Sequence, residues 1–169
     1  NNWDMSKVVN LGQMFYRNTN FNQPLDNWVL SSANSISFIF ENCRSFDQPL
    51  NNWDTSTITD MRGAFKSTHS FNQPLDNWDV SSVLNMQEMF MGSDFNQPIN
   101  NWEVGSVTNM YRLFRHSDFN QPLNNWDMSK VVNLGQMFYR NTNFNQPLDN
   151  WVLSSANSIS FIFENCRSF

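Results

Sequence analysis

The sequence predicts an α/β repeat solenoid in which every repeat of 24–25 residues supplies one short parallel β-strand and one short helix. Three observations carry this expectation. All seven tryptophans, Trp3, Trp28, Trp53, Trp78, Trp102, Trp126 and Trp151, stand 25, 25, 25, 24, 24 and 25 residues apart. Every proline sits in one motif, Gln-Pro-Leu at Pro24, Pro49, Pro74, Pro122 and Pro147 and Gln-Pro-Ile at Pro98. The unit reads F-N-Q-P-L-x-N-W-D-x-S-x-V-x-N-M-x-x-M-F, followed by a short polar loop. One such unit offers about eight large apolar side chains on one side and cannot enclose them, whereas stacking buries them between neighbours. Residues 1–169 therefore read as a single continuous stack, with a partial repeat at 1–20 and full ones at 21–45, 46–70, 71–94, 95–118, 119–143 and 144–169.

The predicted elements follow in order along the unit. Leu25-x-x-Trp28-x-Leu30 has the L-x-x-L-x-L spacing of a leucine-rich-repeat-like strand. A period of two puts Trp28 and Leu30 inward and Asn27, Val29 and Ser31 outward. Pro24 lies ahead of the strand, where it removes no ladder hydrogen bond. Seven residues after each of the first six tryptophans stands Asn10, Ser35, Asp60, Asn85, Asn109 or Asn133, all side chains that favour a helix N-cap. Apolar residues then recur at helical spacing, as in Met86-x-x-Met89-Phe90, which predicts a helix of two turns at most. The loop closes on Phe21, Phe46, Phe71, Phe95, Phe119 or Phe144, and the 24-residue repeats lose their residue there, where a deletion costs least.

A longer period overlies the short one. Residues 1–46 recur without a substitution as residues 124–169, an offset of 123 that equals five repeats. Adjacent repeats differ at many positions, so the identity reads as a window on an array repeating every 123 residues, with a recent duplication as the other reading. The opening Asn1-Asn2-Trp3-Asp4 is neither an initiator nor a signal peptide, so the segment is expected to be cut from a longer chain through its core at both ends.

Composition excludes several functions. Ten Lys and Arg against 15 Asp and Glu, for a net charge of -5, argue against nucleic acid and anionic membranes as partners. No apolar run of about 18 residues exists to insert in a bilayer. Solubility rests on Asn, Gln and Ser. No N-x-S/T sequon is present.

The residues F-N-Q-P-L-x-N-W-D-x-S followed by N-M-x-x-M-F resemble the 25-residue repeats of BspA-like leucine-rich-repeat surface proteins, over the whole chain. The resemblance implies an extracellular or cell-surface location and extended arrays implicated in adhesion. This sequence departs from the pattern at Val29 and Val152, where the Asp after Trp is missing, and at Ala64, which replaces the Met before Phe65.

Candidate sites lie on the outward columns. In the column Asp4, Val29, Asp54, Asp79, Glu103, Asp127 and Val152, carboxylates on successive rungs stand about 4.8 Å apart, which invites a calcium ion between rungs, although water and salt screen an exposed row and no repeat has a calcium-loop pattern. The cation column would be Asp54, Asp79, Glu103 and Asp127. The Asn column Asn2, Asn27, Asn52, Asn77, Asn101, Asn125 and Asn150 would take a glycan or ice, or form an amide ladder from rung to rung. The candidate binding face is Asn52, Asp54, Ser56, Asn77, Asp79, Ser81, Asn101, Glu103, Asn125, Asp127 and Ser129. Cys43 and Cys166 occupy one place in the repeat, five rungs apart, too far for a bond within the rod. They read as structural thiols or as a lateral crosslink between fibres. His69 and His116 have no partner at ligand spacing, and no cofactor is implied.

Two functions from different classes follow, and an enzyme is not one of them, since a regular rod repeats its side chains instead of converging them. The first is a structural component of an extracellular or cell-surface fibre, whose partners are copies of itself end to end or the continuation of the same chain. The second is an adhesin recognising a host surface protein or glycan through the exposed sheet face.

Overall fold

Backbone hydrogen bonding in each repeat is divided between turns within the rung and bonds to the next rung. In the computed structural model, which describes residues 3–168, each repeat forms one rung of a continuous stack. Rungs 1 to 7 correspond to the seven repeats given above. Neither the helices nor the Leu-x-x-Trp-x-Leu strands occur among the described residues, so the α/β, leucine-rich-repeat-like architecture is overturned. The rungs are chains of β-turns instead. Parallel bridges join them at single residues, running from Asn10 through Ser35, Asp60, Asn85, Asn109 and Asn133 to Ser158.

All but the last of these bridge residues are the predicted N-caps, and their capping chemistry is present. The Asn10, Asp60, Asn85, Asn109 and Asn133 side-chain oxygens each accept the amide two residues on, at 2.7–3.1 Å. Asn, Asp and Ser favour such turns and helix caps alike, so residue type does not separate the two outcomes. What rules out a helix is the backbone that follows. In rung 2 the amides of Ile36, Phe38, Phe40 and Asn42 donate to the Asp60, Arg62, Ala64 and Lys66 carbonyls of rung 3 at 2.7–3.1 Å. Those of Ile39, Glu41 and Cys43 turn back onto the carbonyls of Ile36, Phe38 and Phe40. Phe38 and Asn42 have φ of 55° and 60°, the third position of a type II turn. Overlapping turns, each closed over three residues, reproduce helical spacing, which is why Met86, Met89 and Phe90 are fully buried without a helix.

Two columns of such left-handed residues run along the stack, and Gly63 and Gly92 are the glycines in them. At Gly63 the Phe38 ring of the preceding rung lies where a Cβ would be. Gly63→Ala is expected to cost about 1–2 kcal/mol, from left-handed strain together with displacement of that half-exposed ring. Thermal unfolding measures the loss, and adding Phe38→Ala is expected to return part of it.

Around Trp28, Trp53, Trp78, Trp102 and Trp126 the predicted alternation is observed: in rung 3, Trp53 and Thr55 are buried, Asn52 and Asp54 exposed. No ladder forms there because the amides are already used. In rung 4 the Asn77 amide goes to Asn51 Oδ1, that of Trp78 back to Leu75, that of Ser81 to Asp79 Oδ1 and that of Val83 back to Val80, at 2.9–3.1 Å. Side chains join the rungs in this segment. The Trp78 indole donates to the Leu50 carbonyl of rung 3 at 2.9 Å, and Trp53, Trp102, Trp126 and Trp151 repeat the bond.

Three aromatic columns fill the core. Trp3, Trp28, Trp53 and Trp78 stack at 6.2 Å. Phe15, Phe40, Phe65, Phe90, Phe114, Phe138 and Phe163 stack at 5.6–5.8 Å. Phe21, Phe46, Phe71, Phe95 and Phe119 stack at 5.8–6.4 Å. The deleted residue of the 24-residue repeats falls in the expected loop. Where rung 2 passes into rung 3 the Phe46 amide closes on the Cys43 carbonyl, whereas the Phe95 and Phe119 amides reach the Ser93 and Ser117 hydroxyls.

Candidate binding faces

The acidic column closes turns. Asp54, Asp79 and Asp127 each accept the amide of the serine two residues on, Ser56, Ser81 or Ser129, at 2.9–3.1 Å. The Ser56 and Ser81 hydroxyls add bonds of 2.6 Å. Serine hydroxyl and amide donation holds the Asp4, Asp54 and Asp127 carboxyls below the ordinary carboxylate range. Glu103 has Gly105 two residues on, in place of the turn-closing serine. The column runs along the stack without converging: among the described residues no three His, Cys, Asp or Glu gather to hold a metal ion.

A lowered carboxyl in the folded chain binds a proton less readily than the unfolded one. Its stabilising effect is present above the unfolded value and is lost as pH falls through the folded value, below about pH 4. Ser56→Ala is expected to move the Asp54 titration upward toward the ordinary range, as followed by NMR.

Side-chain oxygens link rung to rung in columns other than the predicted one, and they accept backbone amides instead of stacking amide on amide. Asn22, Asp47, Asn72, Asn96 and Asn120 each offer a side-chain oxygen to the amide of the equivalent residue in the next rung, ending on Asn145, at 2.9–3.1 Å. Asn51, Asn100 and Asn124 do the same for the amides of Asn77, Asn125 and Asn150 at 3.0 Å. Within the predicted column, Asn52, Asn77, Asn101 and Asn125 are exposed, and Asn101 Nδ2 donates to the Asp76 carbonyl. Asn2 lies outside the described residues.

Cys43 belongs to a column of small polar groups that sequence reasoning missed: Cys43, Thr68, Ser93, Ser117, Asn141 and Cys166. Each donates to a backbone carbonyl: Cys43 to Phe15, Thr68 to Phe65, Ser93 to Thr68, Ser117 to Phe114, Asn141 to Phe119 and Cys166 to Phe138. Burial pushes the Cys43 thiol up to about 11. Both cysteines are free, Cys43 fully buried and Cys166 half-buried. The signal was a small donor three residues after every phenylalanine of the turn segment.

A second missed feature lies on the outer side of the turns. Lys66 Nζ stands 3.4 Å from Glu41 Oε1 and 2.7 Å from Glu88 Oε2, and Arg112 stands 3.6 Å from Glu88 Oε1. Arg112 Nε then donates to Gln136 Oε1 at 2.9 Å. The signs alternate from rung 2 to rung 5. Burial works against the Lys66 charge, yet the Glu88 and Glu41 carboxylates outweigh it and hold its titration above the ordinary range. Farther along, the Arg115 and Arg140 guanidiniums lie 4.9 and 5.4 Å from the Tyr139 ring centre, and His116 meets that ring edge-on. Burial and the two arginine charges lower the His116 titration. Neither Arg115 nor Arg140 forms an ion pair among the described residues. His69 lies 3.7 Å from Asp94, both exposed. No helix among the described residues is long and apolar enough to cross a membrane.

A family model described as "Mycoplasma protein of unknown function, DUF285" matches residues 1–94 and 59–169. No curated protein and no solved structure matches the chain.

Proposed function

We propose, from the premise that this chain belongs to the DUF285 family of Mycoplasma proteins of unknown function, that it is a length of structural fibre displayed outside the cell or on its surface. One observation carries the reading: a rung is closed only by another rung. The chain contains its own control in residues 1–46 and 124–169, which are identical. Trp126, with rungs on both sides, is 2% exposed, and its counterpart Trp3 in rung 1 is 64% exposed. Ile36 is fully buried beneath rung 3, and its counterpart Ile159 in rung 7 is 54% exposed. Such a unit serves length. The resemblance to BspA-like surface proteins supports the location.

Electron microscopy of the native material tests this. Long filaments with an axial repeat of about 24 Å, five rungs at about 4.8 Å, are the expected result. Short isolated rods would overturn it.

A second reading, an adhesin for an acidic host glycan, draws on Arg115, Arg140 and His116 gathered round Tyr139, with neither arginine in an ion pair among the described residues. Its test is binding to immobilised sulfated and sialylated glycans. Loss in an Arg115→Gln/Arg140→Gln chain supports it, and unchanged binding removes it.

A further inference from the structure

The identity of residues 1–46 and 124–169 means that one rung occurs twice, once covered by a following rung and once open. Rung 3 covers rung 2. The amides of Ile36, Phe38 and Asn42 find the carbonyls of Asp60, Arg62 and Lys66, the Phe38 ring occupies the space left by the missing Cβ of Gly63, and Glu41 faces Lys66 at 3.4 Å. In rung 7 the amides of Ile159, Phe161 and Asn165 have no such acceptor among the described residues. Phe161 is 59% exposed, Glu164 is exposed, and Cys166 is half-buried where Cys43 is fully buried.

We propose that the open face of rung 7 is an interface specific for a rung of the 46–70 type: one with glycine where the Phe161 ring must lie and lysine within reach of Glu164, supplied by a further stretch of the same repeating sequence. The inference rests on the stacked-fibre reading and names the partner within it. The two positions separate this rung from every other in the chain. The corresponding pairs are Gln13 and Tyr16, Phe38 and Glu41, Glu88 and Met91, Arg112 and Arg115, and Gln136 and Tyr139. All five put a side chain where the Phe161 ring must lie. The Phe38 and Glu41 pair would also set a carboxylate against Glu164. Only Gly63 and Lys66 leave the space and bring the charge. Long-range order in the stack then follows from these contacts, since a rung that stacks out of turn loses the space for the ring and, in every case but the Arg112 and Arg115 rung, the opposite charge as well.

The test reads Cys166 as a reporter of coverage. The two cysteines lie in identical peptides, so each is followed in a chain with the other replaced by serine, which already stands at that place as Ser93 and Ser117. The full chain is extended after Phe169 by a second copy of residues 47–94, and in a control the appended copy bears Gly63→Phe and Lys66→Glu. Tryptophan fluorescence verifies that each parent stack is folded. The expected result is that the matched extension slows thiol labelling of Cys166 about tenfold or more, to the rate of Cys43, while the control extension leaves it fast. Equal protection by both extensions, or by neither, overturns the proposal. An unextended second copy presents rung 1, with Gln13 and Tyr16, so raising the concentration of the unextended chain should leave Cys166 reactive; protection matching the extension would also overturn it. Filaments seen by microscopy together with an unprotected Cys166 would reject this partner and leave the fibre reading standing.

Discussion

Trp126→Ala is expected to destabilise the chain by about 3–5 kcal/mol, and Trp3→Ala by about 1 kcal/mol or less. The two residues have the same neighbours in sequence for 46 residues, so local propensity and turn chemistry cancel in the comparison. What differs is stacking. Trp126 lies 6.3 Å from Phe114 and donates its indole N–H to the Ile99 carbonyl of the rung before. Its removal leaves a cavity between rungs and takes one of the bonds from that carbonyl. Trp3 stacks on Trp28 on one side and is otherwise largely in water. Urea unfolding of both variants measures the contrast. Equal losses would mean that the tryptophan acts within its own repeat, against the stacking account.

Lys66→Met is expected to cost about 2–3 kcal/mol, toward the low side for a broken buried pair because the Lys66 side chain is 23% exposed. The loss arises from what remains. Glu41 and Glu88, each with a side chain 11% exposed, are left facing each other across the gap, with only Arg112 near Glu88. Adding Glu41→Gln and Glu88→Gln to Lys66→Met is expected to return most of the stability, and high salt to shrink the single-variant loss. A thermally silent Lys66→Met would show that the alternating charges contribute nothing to the stack.

The sequence revealed what repeats within a rung and hid what runs between rungs. Tryptophan spacing gave the rung boundaries, and the inward placement of Trp53, Met86 and Phe90 holds in the structure. The helix was misread because Asn85 and Asn109 carry the side chain that serves a cap and an Asx-turn equally, and because overlapping turns that each span three residues bury the same positions as a helix. The strand was misread because alternation around Trp78 reports exposure and not pairing; its amides were already committed to Leu75 and to the Asn51 and Asp79 side chains. The ladder of Asn72, Asn96 and Asn120 and the donor column of Thr68, Ser93 and Ser117 become visible only when equivalent positions are read down the stack. Lys66 between Glu41 and Glu88 is the hardest to foresee, since its partners are 25 and 22 residues away in sequence and alternate between two columns.

The left-handed residues have a kinetic consequence. Gln13, Phe38, Glu88, Arg112 and Gln136 hold a backbone conformation that costs about 1–2 kcal/mol each for such residues, and cross-rung bonds hold it in place. A lone repeat has no such bonds, so it has nothing to keep those turns closed. Order must therefore start in the rare event that sets two rungs against each other, and afterwards every finished rung is a template on which the next is laid down. The rod grows as a crystal face grows, slow to begin and fast to continue.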